Sequence, residues 1–77
     1  MEAGLDCICT GMRAVVMQVQ ETAAVAEYFR QIGIAPGTVV YCRYRSPGGN
    51  VVALEFRDRA AAFRTKDLRK IRIACVM

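Results

Sequence analysis

Histidine is absent from this 77-residue chain, and with it the commonest general base and the commonest metal-ligating side chain. There is no glycine-rich phosphate cradle ending in Gly-Lys-Ser or Gly-Lys-Thr, and no Gly-x-Ser-x-Gly nucleophile turn. An enzyme is therefore not expected. Lysine is scarce, two residues against nine arginines, which weakens any case for a nucleic-acid groove. No apolar run approaches the roughly 20 residues of a membrane span. The opening Met1-Glu2-Ala3-Gly4-Leu5-Asp6 has neither the basic start nor the apolar stretch of a secretory signal. The expected address is the cytoplasm, where Cys7, Cys9, Cys42 and Cys75 stay reduced.

What is present reads as one small globular domain. Hydrophobic residues make up 55% of the chain and charged ones 23%, a balance that favours a packed core over disorder. A chain of this length buries only about 60% of its unfolded surface, so it has a thin stability margin and little room for a deep active site. The net charge is +4, with most cations from Arg43 to Arg72. Such a face suits an acidic partner, a nucleic acid or an anionic membrane surface, and equally an ordinary solvated exterior.

Residues 1–10 show no periodicity and are expected to be loosely ordered. Val15, Met17 and Val19 alternate with more polar neighbours, which predicts a strand, although Val16 leaves its register open. Over residues 21–32, Val25, Phe29 and Ile32 fall at helical spacing, with Glu21 early and Arg30 late to match the helix dipole. Gly33 stands where a helix ends in a left-handed residue, and Ile34 where it packs back on Phe29. Pro36-Gly37 predicts a type II turn that delivers Thr38 into a strand.

That strand, residues 38–45, predicts Val40, Cys42 and Tyr44 on one face and Val39, Tyr41, Arg43 and Arg45 on the other. Ser46-Pro47-Gly48-Gly49-Asn50 is a loop by composition. In the next strand, residues 51–57, Val52, Leu54 and Phe56 alternate inward. Asp58-Arg59 predicts a reversal into a hairpin arm over residues 60–64. Residues 65–70 fit a single helical turn capped by Thr65 with Asp67 in its first turn. A short strand, residues 71–75, closes the chain. Five short strands with one helix between the first two predict a mainly β fold, rolled into a small barrel that hides its edges. Met12, Met17, Tyr28, Phe29, Tyr44, Phe56 and Phe63 are expected in the core, with Tyr41 outward beside Arg43 and Arg45.

Two constellations remain. Cys7-Ile8-Cys9 has the ligand type for a soft metal, with Cys42 or Cys75 to complete it, but not zinc-ribbon spacing. A buried Cys42 would behave as a small hydrophobe. The expectation is no metal and no cofactor, with a Cys7 and Cys9 site as the alternative. Arg43, Arg45, Arg57 and Arg59 gather near one hairpin and could meet an acidic protein surface or simply space charges with Glu55 and Asp58.

Gly33-Ile34-Ala35-Pro36-Gly37, then Ser46-Pro47 with Gly49, then Ala62-Phe63-Arg64 with Asp67 and Ile71-Arg72-Ile73, resemble in order and spacing the FeoA family of bacterial ferrous iron transport. The loop departs from the family pattern at Gly48, where leucine is usual. The resemblance implies a Src homology 3-like barrel and no catalysis. It implies a cytosolic accessory protein that binds the GTPase region of a FeoB-type membrane transporter. Its partner-binding residues would be Arg43, Arg45, Ser46, Pro47, Gly48, Gly49 and Arg57, and its structural motif Gly33, Pro36, Gly37, Arg64 and Asp67. No nucleic acid and no membrane span are expected, and weak self-association is left open. A basic nucleic-acid-binding barrel and a cysteine metal module stand as alternative readings.

Overall fold

A computed structural model describes residues 2–19 and 23–75. Strand β1 is Glu2–Gly4, followed by a 3₁₀ turn at Leu5–Cys7. Strand β2 is Arg13–Val19, helix α1 Ala23–Ile32, β3 Val39–Arg45, β4 Val51–Phe56 and β5 Arg59–Arg64. A second 3₁₀ turn, Thr65–Leu68, precedes β6 at Ile71–Cys75. All strands join one antiparallel sheet in the order β1-β6-β2-β3-β4-β5. The two 3₁₀ turns lie against each other and contribute the fully buried Leu5 and Leu68.

The described residues thus hold six strands, one more than the sequence predicts. The extra strand is β1, where Ala3 pairs with Ile73. Three residues are too few to show a two-residue period, so only the pairing with β6 makes this segment a strand. Within this N-terminal segment Leu5 and Ile8 are fully buried in the core. They join Val16, Val40, Val52, Leu54, Ile71 and Ile73 in one cluster. Each fully buried large apolar side chain contributes about 1.5–3 kcal/mol. Phe29 ties α1 to this cluster, with its ring 6.1 Å from Phe63, which in turn lies 6.3 Å from Phe56.

The helix stop forms as the sequence predicts. Ile34 N–H donates to the Phe29 carbonyl at 2.8 Å and Gly33 N–H to the Arg30 carbonyl at 3.1 Å, the paired bonds of a Schellman cap. Gly33 has φ +112°, and a Cβ there would stand 3.3 Å from Arg57 Cδ and 3.4 Å from the Phe56 ring. Gly37, at φ +94°, completes the Pro36 turn, in which Thr38 N–H reaches the Ala35 carbonyl at 2.9 Å. Thr38 Oγ1 donates to the Gly33 carbonyl at 3.1 Å, locking cap and turn together. Glu21 lies outside the described residues, as does the side chain of Val25.

Two β-bulges change which side chains face inward. Cys42 pairs with Leu54 but Tyr44 with Ala53, so Arg43 is an extra residue in β3. In β2, Val16 pairs with Ile73 and Gln18 with Arg72, so Met17 is extra. A bulge exchanges inside and outside for the residues beyond it. Tyr44, expected inside, is 54% exposed for this reason; Met17, 46% exposed, lies on the outward side by plain alternation from Val16. Tyr28 is also corrected: it is 55% exposed and sits edge-on against Phe29. Ala14 and Val16 take the buried places in β2. Thr65 does not cap its turn; its N–H and hydroxyl both bond to the Asn50 carbonyl, at 2.9 and 3.4 Å.

Candidate docking surface

The outward side chains of β3 and β4 build a charged surface. Val39, Tyr41 and Arg43 stand in a row along β3, with Glu55 beside them on β4. Together with residues 56–60 they line a cleft of about 530 Å³. Its lining is mostly polar; Val39, 51% exposed, and Tyr41 form a small apolar patch within it, while the Phe56 side chain belongs to the core. Strand pairing brings Arg13 opposite Tyr41, with its guanidinium carbon 5.8 Å from the ring centroid, within cation–π reach. Arg43 Nη1 meets Glu55 Oε2 at 3.5 Å. Among the described residues no other arginine of this face has an ion-pair partner.

The reversal after β4 is the two-residue turn Arg57-Asp58, one position earlier than the sequence predicts, since Phe56 pairs with Arg59. Both turn residues have positive φ, 50° and 65°. A two-residue hairpin needs that backbone to follow the sheet twist, and normally fills it with Asn-Gly or Asp-Gly. Placing side chains there costs about 1–2 kcal/mol per residue. Arg57 lines the 530 Å³ cleft and two adjoining ones, formed by residues 35–39 and by the C-terminal end of α1 with Gly33 and Arg59.

The expected partner residues do not form one patch. Arg43 and Arg57 share the cleft. Ser46, Pro47, Gly48 and Gly49 lie at the opposite end of the β3–β4 hairpin, about 20 Å from Arg57 and about 10 Å from Arg43 at strand rise. That loop is a tight turn in which Gly49 N–H donates to the Ser46 carbonyl at 2.8 Å and Val51 N–H to Ser46 Oγ at 3.2 Å. Pro47 and Gly48 are exposed at its tip. Arg45 adjoins this loop, its guanidinium lying beside Gly49, where a Cβ would stand 3.4 Å from Nη2. Beyond the β3 bulge its Nη1 donates to the carbonyls of Asp6 at 2.7 Å and Ile8 at 3.0 Å, and its backbone N–H donates to Thr10 Oγ1. It braces the N-terminal segment from within.

Arg64 and Asp67 line a second cleft of about 490 Å³ with Tyr28, Phe29, Ala62, Phe63 and Lys66. Cys7, Cys9 and Cys75 are exposed and Cys42 is buried; burial pushes the Cys42 thiol up. Among the described residues no three or more Cys, Asp, Glu or His side chains gather closely enough to hold a metal ion. Sequence reasoning missed Arg13, because only the β2–β3 register brings it to Tyr41. Val39 was legible as outward from its alternation with Val40.

The sequence model of the FeoA domain matches residues 4–75. The chain belongs to the FeoA family. Solved structures agree in fold. A FeoA-like protein of Clostridium acetobutylicum superposes with TM-score 0.88 at 21% identity, over 99% of this chain and 88% of its own. An iron uptake regulatory protein, also a FeoA, gives 0.87 at 10% identity over 99% of both chains. The zinc complex of FeoA from Stenotrophomonas maltophilia, described as a prokaryotic SH3 domain protein, gives 0.74 at 20% identity over 92% and 88%. Among curated proteins no sequence matches. FeoA membership supports a role in ferrous iron transport, and this FeoA fold is the mainly β, SH3-like barrel that the sequence predicts. Among the described residues no helix is long and apolar enough to cross a membrane.

Proposed function

We propose that this FeoA-family chain is a cytoplasmic, non-catalytic accessory protein of ferrous iron uptake. It docks onto the cytosolic GTPase region of a FeoB-type membrane transporter. The observation that carries the reading is the FeoA domain match across residues 4–75. The exposed β3–β4 face, with Arg43 and Arg57 beside Val39 and Tyr41, has the arginine and aromatic composition that protein interfaces favour. The loop at Ser46, Pro47, Gly48 and Gly49 is a second contact at the far end of the hairpin. Arg45 holds the N-terminal segment in place and lies beside Gly49 of that loop. The reading needs no cofactor and no nucleic acid.

Coexpression of the tagged chain with the FeoB-type transporter of the same genome, followed by affinity purification in mild detergent, tests it. The transporter is expected to copurify. Recovery of the folded chain without the transporter overturns the reading.

A further inference from the structure

The face around Val39 and Tyr41 has a small apolar patch on β3, and around it stand Arg13, Arg43, Arg57 and Arg59 against two carboxylates, Glu55 and Asp58. Glu55 is already engaged by Arg43. The face is therefore net positive, and Arg57 extends it around the hairpin tip into the two adjoining clefts. Isolated phosphate is a poor fit, because the arginines are spread along the strands around an apolar patch rather than converging on one point. An apolar patch ringed by arginines fits an acidic chain that also carries apolar side chains. An extended strand lays one set of side chains on the patch and leaves the other set to the long, exposed arginines that rise beside it.

We propose that this face binds an extended, acidic protein segment. One of its apolar side chains rests on Val39 and Tyr41, and its carboxylates meet Arg13, Arg57 and Arg59. The inference deepens the docking reading and rests on it for the identity of the partner, but not for the chemistry of the bound segment. Arg57 supplies the side chain that a glycine at the turn would lack. Association should be fast and weakened by salt, because the rim charges are exposed.

The test uses the full chain and a short fluorescein-labelled peptide of repeating Glu-Val units, with its Lys-Val counterpart as control. Anisotropy should rise with the acidic peptide only, and binding should fall between about 0.05 and 0.5 M salt, as screening shortens the reach of charge. Amide NMR shifts should centre on Val39, Tyr41, Arg43 and residues 55–59. Arg57→Asp with Arg59→Glu should weaken binding by about tenfold or more, while Arg57→Lys with Arg59→Lys should retain most of it. Absent binding, equal binding of the Lys-Val peptide, or shifts centred on the loop at residues 46–50 each overturn the proposal, and the wild-type shift map decides even if a variant misfolds. The same charge-reversed chain is carried into the transporter copurification. A transporter that still copurifies sinks this face and leaves the docking reading standing. Acidic-peptide binding at the face, with no copurification by the wild-type chain, leaves the face standing and sinks the reading.

Discussion

Arg45 reaches back across the chain to Ile8, its Nη1 donating to the Ile8 carbonyl at 3.0 Å. The same nitrogen serves the Asp6 carbonyl, so one guanidinium fixes the segment that carries the buried Leu5 and Ile8. The bulge at Arg43 makes this contact, by turning Arg45 to the side that simple alternation gives to Tyr44.

Removing that brace should therefore act on stability. Arg45→Met is expected to lower unfolding free energy by about 2–3 kcal/mol, since hydrogen bonds from a charged donor are each worth about 1.5–3. Urea denaturation followed by circular dichroism measures it. A loss near zero would mean that the carbonyls of Asp6 and Ile8 are equally well served by water.

Gly33→Ala places a Cβ on a backbone at φ +112° and against the Phe56 ring. A destabilisation of about 2 kcal/mol or more is expected from the strained backbone alone. The midpoint of thermal unfolding reports it. An unchanged midpoint would show that the cap can relax away from β4.

At the hairpin tip the opposite sign is expected. Arg57→Asn with Asp58→Gly relieves two positive-φ side chains and should stabilise the chain by about 1 kcal/mol. The same double variant should bind the acidic peptide more weakly, because it removes the arginine shared by three clefts. Gained stability with lost binding would show that the strain serves the surface. Undiminished binding would show that Arg57 contributes nothing to it.

Thiol chemistry separates the cysteines. Cys7, Cys9 and Cys75 should react readily with a neutral alkylating reagent, and Cys42 only after unfolding, because it is buried. Burial raises the folded-state pKa of Cys42, so its contribution is intact below the unfolded thiol value, about 8.5. It is lost as pH rises beyond that toward the folded value, because the unfolded chain can ionise while the folded one resists. The urea midpoint should thus fall more between neutral and alkaline pH in the wild type than in Cys42→Val. Equal falls would remove Cys42 as the cause.

Much of the fold was legible because local rules and tertiary packing agree. The Val52, Leu54 and Phe56 alternation, the Phe29 and Ile32 stripe, and the Gly33 and Pro36-Gly37 stop each state in a few residues what the fold then uses. Two misreadings share one origin. Tyr44 and Arg45 lie beyond the β3 bulge, and an extra residue in one strand is invisible without its partner. β1 was missed for a related reason, since three residues carry no period of their own. The docking face was half legible: Val39, Tyr41 and Arg43 alternate outward, but nothing in the sequence joins Arg13 to them or parts Arg57 from the loop at residues 46–50.

By itself the sequence determined the element order after Gly11, the hard turn after Ile32, most of the buried faces and the absence of histidine chemistry. These depend on residues within a turn or a strand of one another, where sterics and two- or 3.6-residue periodicity decide. Only the tertiary structure decided the sixth strand, the two bulges, the inward brace of Arg45 and the gathering of arginines around Val39 and Tyr41. Each depends on the register between strands far apart in the chain, a quantity set by which pairing buries the most apolar surface and satisfies the backbone.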